Sequence, residues 1–139
     1  MHTHLQNALA LVSRVSFAAL FLPEGIGKIR GFGFIVDYIG SAGLPFPAVG
    51  AVIAIVVEVG GSLALLAGFK TRWVAAVMAV FTLATAVFFH QFWAASAQDA
   101  MVQHIMFFKN MAIAGGFLML VAFGAGQWSL DERSVLSPQ

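Results

Sequence analysis

A chain of 139 residues that is 60% hydrophobic and 9% charged cannot build the polar shell that a water-soluble domain of this size requires. Its formal charge of +1 excludes a phosphate-tracking nucleic-acid surface, and with no cysteine it can form neither a disulfide, a thiolate-bound cluster nor a Cys nucleophile. A mean hydropathy of +0.92 points to lipid as the solvent, and residues 1–139 read as one membrane domain.

Crossing about 30 Å of hydrocarbon takes roughly 20 helical residues. Four apolar stretches are long enough: residues 5–29, 46–68, 73–92 and 104–123. The first holds Arg14 where a signal peptide would have its apolar region, and no basic segment precedes it, so it reads as a retained span. Pro23 and Glu24 interrupt it near its end, where the proline is expected to kink it.

Residues 31–45 follow, with Phe32, Ile35 and Ile39 at helical spacing beside Asp37 and Tyr38, which predicts a short helix lying in the interface. Gly43-Leu44-Pro45-Phe46-Pro47 turns the chain back. The second span carries one charge, Glu58, deep inside it. The third starts after the Lys70-Thr71-Arg72 turn and has Trp73 and Trp93 as interfacial anchors. The fourth has Lys109 and Asn110 in its early turns and stops at Gly124-Ala125-Gly126. Ala75 and Ala79, then Thr82, Ala86 and His90, make a small-residue stripe suited to close helix packing. No period-two alternation marks a barrel, so the expected fold is all-α: a four-helix transmembrane bundle with a short interfacial segment between the first two spans.

Ionisable groups within a span are costly and mark function or internal pairing. With the first span entering near Leu5 and the second leaving near Gly68, a rise of 1.5 Å per residue sets Arg14 about 13 Å and Glu58 about 15 Å below one face. The two are expected to form a buried ion pair, which either fixes helix register or handles a proton or ligand. The same arithmetic puts Glu24, His90 and Lys109 about 6 Å below the other face. Together with Lys28, His104 and Asn110 they make a polar cluster, read either as an ordinary interfacial group or as the lining of a ligand pocket. His90 and His104 are the residues by which a haem could be held; the spacing gives little support for it, and no metal site is assigned.

Several short stretches resemble the DoxX family of small bacterial membrane proteins. They are Phe21-Leu22 through Gly27-Lys28-Ile29, Gly43-Leu44-Pro45, Glu58-Val59-Gly60-Gly61, Gly68-Phe69-Lys70-Thr71-Arg72, Phe89-His90-Gln91-Phe92-Trp93, Phe108-Lys109-Asn110 and Ser129-Leu130-Asp131. His104 is out of step with the histidine that similar sequences place just before the Phe-Lys-Asn run. The resemblance implies a multi-pass protein of the bacterial inner membrane that serves as a small subunit or partner of a quinone-linked redox assembly. No nucleotide loop or autonomous catalytic motif is present, so the chemistry would come from a partner subunit, with quinone as the cofactor the resemblance suggests. The alternatives are a small-solute or proton carrier using Arg14 and Glu58, and a structural assembly factor. Lipid is the expected surrounding, and a homo-oligomer is a further partner to test. Lys70, Arg72 and Arg133 against Lys28 and Arg30 favour cytoplasmic termini.

Overall fold

A computed structural model describes residues 2–135, and their side chains from residue 3 to residue 132. Met1, residues 136–139 and the side chain of Arg133, one of the charges in the topology tally, lie outside that description.

The described chain is helical, with no strand. Helix α1 (His2–Arg30) continues through Pro23. Helix α2 (Phe32–Ser41) is the short segment foreseen between the first two spans. Helix α3 (Pro47–Ala67) starts with proline in its first turn, where the missing N–H costs nothing, and widens into a π-helical turn at Val56–Gly60. Helices α4 (Thr71–Phe89) and α5 (Ala100–Phe123) form the most extensive pair, and a last short helix, α6 (Leu130–Val135), follows. Helices α1, α3, α4 and α5 are each long and apolar enough to cross a bilayer.

The distribution of side chains is the reverse of a soluble protein. Large apolar groups such as Val49, Val52, Ile53, Val56, Trp73, Val77, Val80, Leu118 and Met119 point outward, while Arg14, Glu58, Ser62, Thr71, Thr82 and Asn110 are buried. Without water to drive burial, close contact depends on small residues, and Ala75, Ala79, Thr82 and Ala86 form a buried stripe of α4, the helix that packs most extensively on α5. At Gly116 a Cβ would come within 2.7 Å of Phe17 Cζ, so this glycine lets α1 and α5 approach, with Phe17 and Phe117 stacked at 4.0 Å.

The packed core occupies one half of the bundle. Phe21, Leu65, Met78, Phe117 and Leu120 fill the half toward the termini. In the other half, α1 to α5 line an open-sided cavity of about 550 Å³.

Candidate functional site

Two polar constructions divide the bundle along its length. The first is in the half toward the termini and is centred on Arg14, which is fully buried. Its Nη1 donates to the carbonyls of Leu65 (3.1 Å) and Leu66 (3.3 Å), and its Nη2 to that of Trp128 (2.6 Å). Leu65 and Leu66 belong to the last turn of α3, where the Leu65 carbonyl also accepts from the capping Gly68 N–H at 3.1 Å, so the guanidinium sits at the negative end of the α3 dipole. Asp131 is close enough to interact electrostatically with Arg14. Its carboxylate also accepts from the backbone N–H groups of Lys70 (2.6 Å) and Thr71 (2.9 Å), capping the start of α4, and its own N–H donates to the Gly68 carbonyl (2.9 Å).

Gly68 closes α3 in the left-handed conformation at φ 66°, and a Cβ there would come within 2.6 Å of Arg14 Nη1. Arg72 makes the corresponding contact for α5, its Nη1 donating to the carbonyls of Val121 and Ala122, both at 2.9 Å. Asn7 holds the returning chain by accepting from the Gln127 N–H at 3.0 Å and donating to the Gln127 side chain at 3.0 Å.

The expected Arg14 to Glu58 pair is therefore corrected, since each residue has other partners. Gly25 is the α1 residue that abuts Glu58 and Val59, and Arg14 is level with Gly68. Residues 14 to 25 of α1 and 58 to 68 of α3 cover the same drop, about 15 Å at 1.5 Å per residue. The sequence arithmetic set Leu5 level with Gly68. With 29 residues, α1 is about 43 Å long, longer than the hydrocarbon layer, and its first turns stand beyond the point where α3 ends. A carrier built on an Arg14–Glu58 site has no such site in this bundle.

The second construction is the cavity. Lys28 Nζ lies 2.8 Å from Glu58 Oε2 and 4.0 Å from Glu24 Oε2. Glu58 is on the π-helical turn of α3, a departure from regular helix that recurs at functional positions. α1 is held against it at Gly25, where a Cβ would be 2.7 Å from Val59 Cγ2 and 3.0 Å from Glu58 Cβ.

Glu24, Lys28, His90, Lys109 and Asn110 all line this cavity, as does Glu58. Asn110 Nδ2 donates to Thr85 Oγ1 at 3.3 Å, whose hydroxyl in turn donates to the Thr82 carbonyl at 2.8 Å. His90 Nδ1 is 2.9 Å from the side-chain oxygen of Gln103, an atom that only accepts, so Nδ1 carries the proton of that contact. Lys109 Nζ contacts Met106 Sδ at 3.1 Å.

His104 does not join them. It packs edge-on to Phe92 at 5.0 Å and against Phe108 at 4.7 Å in an outward aromatic cluster, so the two histidines considered for haem face different surroundings. The Phe88-Phe89 and Phe107-Phe108 pairs divide likewise: the first lines the cavity and the second belongs to the aromatic cluster.

Sequence reasoning missed Tyr38. This α2 residue forms part of the cavity wall and stacks on Phe89 of α4 at 5.3 Å, with Phe34 stacked behind it at 6.5 Å. Thr85 was missed as well; its place on the Thr82 and His90 side of α4 was the available signal.

A four-span bundle with an inverted surface, one half packed and the other lining an open cavity with charged and aromatic walls, defines a small polytopic membrane protein. The DoxX family profile matches residues 9–91. The chain is 38% identical to the inner membrane protein YphA of Escherichia coli (strain K12) over 125 residues, 90% of this chain and 89% of that protein. It is 40% identical to the inner membrane protein YqjF of the same organism over 128 residues, 92% of this chain and 93% of that one. No solved structure matches it. The chain belongs to the DoxX family and is a multi-pass protein of the inner membrane.

Proposed function

We propose that this protein is a quinone-facing subunit of a membrane redox assembly, in which the α1–α5 cavity receives the ring of a lipid-soluble quinone and a partner enzyme supplies the electron chemistry. The observation that carries the reading is the cavity itself. At about 550 Å³ it falls in the range of small-molecule sites, and it has the expected make-up of mostly apolar and aromatic walls with a few convergent polar groups.

The lining fits such a ring. Tyr38, Phe81, Phe88 and Phe89 offer aromatic faces and edges, while Lys28 and Asn110 carry N–H groups suited to ring oxygens. A bound quinone would supply two-electron carriage between the partner and the membrane pool. The chain's own residues orient the ring, exclude water through the apolar wall and provide hydrogen bonds.

The test is calorimetric titration of the purified protein in lipid nanodiscs with a short-chain quinone. Saturable binding is expected, weakened at least about tenfold, or about 1.4 kcal/mol, in Ala84→Phe, which fills the cavity. No saturable binding, or binding untouched by that substitution, overturns the quinone assignment. Copurification of a dehydrogenase with the tagged chain tests the assembly separately.

A further inference from the structure

Asn110 lines the cavity from α5, is 9% exposed, and cannot turn its amide at will. Its Nδ2 lies 3.3 Å from Thr85 Oγ1, whose hydrogen is already given to the Thr82 carbonyl at 2.8 Å. Toward Asn110 the Thr85 oxygen can therefore only accept, so the amide presents N–H to α4 and turns Oδ1 the other way. Among the described residues nothing donates to that Oδ1, and the open cavity leaves it accessible. The side chains beside it on the same wall, Phe81, Ala84, Met106 and Ile113, carry no oxygen. Register sets this acceptor opposite the ion pair. Helices α1 and α5 run antiparallel and meet where Gly116 abuts Phe17. From there residues 17 to 24 and 116 to 109 cover the same rise, about 10 Å at 1.5 Å per residue. Asn110 thus shares a layer with Glu58, which abuts Gly25. A ring lying in that layer has Glu58, with Lys28 Nζ 2.8 Å from its carboxylate, on the α1 and α3 side and the amide on the α5 side.

We propose that Asn110, positioned by Thr85, makes the cavity selective for an aromatic ring that carries a hydroxyl donor. Such a ring is a phenol, of which the hydroquinone form of the ligand proposed above is one case. The hydroxyl donates to Asn110 Oδ1, an acceptor that a ligand without a donor leaves unpaired on an otherwise apolar wall. A carbonyl or methoxy oxygen in the same place sets two acceptors against each other. The second N–H of Asn110 and the ammonium of Lys28 remain for a carbonyl, so an oxidised ring still binds, but more weakly. Asn110 is the residue that sets the preference. Thr85 is a positioning residue, acting only through the direction in which it holds the amide.

This selectivity rests on the proposed function in taking the occupant to be an aromatic ring, and its decisive probes contain no quinone, so either proposal can fail alone. The full chain in nanodiscs is titrated calorimetrically with para-propylphenol and with its methyl ether, against empty nanodiscs. The phenol is expected to bind saturably and about tenfold more tightly than the ether. The ratio should fall to within about twofold in Asn110→Ala and in Thr85→Val, and return in Thr85→Ser. Should Asn110→Ala not fold, the two Thr85 variants carry the same test with Asn110 in place. A short-chain hydroquinone kept reduced should likewise bind more tightly than its quinone. Hydroxyl discrimination with no binding of either the hydroquinone or the quinone keeps the selectivity, assigns the cavity to another phenol and removes the quinone reading. Quinone binding with phenol and ether held alike does the reverse. No saturable phenol binding overturns the selectivity, as does discrimination that survives Asn110→Ala or Thr85→Val, or that Glu24→Gln abolishes instead.

Discussion

Arg14 shows how a cation can be held within a membrane bundle without a carboxylate in direct contact. Three carbonyl oxygens receive its guanidinium, two from the fraying end of α3 and one from Trp128. Removing it takes the side-chain donor from all three carbonyls, of which that of Leu65 keeps the Gly68 N–H at 3.1 Å, so Arg14→Met is expected to destabilise the bundle by about 3 kcal/mol. Arg14→Lys keeps the charge but not the planar fork, and should fall between Arg14→Met and the parent in a detergent-unfolding titration. Asp131→Asn retains one acceptor for the α4 cap and loses the charge, a change worth about 1 kcal/mol in the same assay. Neither the Arg14 contacts nor the cap could be read from the sequence, because a backbone carbonyl carries no residue identity and Asp131 lies 60 residues from Thr71. The side chains of Glu24, Lys28, His90, Lys109 and Asn110 could be read, because an ionisable or amide group in an apolar run stands out by type.

At the scale of elements, α2 is the piece that walls one side of the cavity. It packs mainly on α3, touches α1 lightly and reaches α4 through the stack of Tyr38 on Phe89. The loop behind it turns at Gly43, whose φ of 75° suits glycine, and at Phe46, which takes φ 52° just before α3 begins. Tyr38→Ala removes the stack and leaves these turns intact. A small ligand should then associate and dissociate faster, with affinity changed less than either rate, in stopped-flow binding of a short-chain quinone. Unchanged rates would show that access does not pass beside Tyr38. The periodicity of Phe32, Ile35 and Ile39 announced α2 as a helix. Its role as a wall could not be foreseen, since an amphipathic helix in the interface has the same pattern whether it covers lipid or a neighbouring span.

At the scale of the whole molecule, four spans put both chain ends and the Lys70 to Arg72 turn on one side, and the loops around Gly43 and Ser96 on the other. The absence of cysteine makes this directly measurable. Single cysteines at Phe69 should react with a membrane-impermeant thiol reagent from one side, and those at Ser41 or Gln98 from the opposite side. Cytoplasmic labelling of the Phe69 position would agree with the orientation inferred from the Lys and Arg balance. The span count was legible because length and hydropathy suffice for it. The register between α1 and α3 was not, because α1 is longer than the layer it crosses and no residue in the sequence marks where the layer begins.

The contact between Arg14 and Trp128 also sets a schedule. The two residues are 114 positions apart, so the arginine is synthesised long before the carbonyl that completes its coordination. At about 5–20 residues per second, the first span waits several seconds or longer on the ribosome with that hydrogen bond unmade. Helix α1, made before the other described helices, thus has its arginine fully satisfied only after Trp128 has been added, and a chain ending at Phe123 should insert its later spans while leaving α1 poorly anchored. Protease protection of an N-terminal tag during synthesis, with and without the final segment, would register the delay.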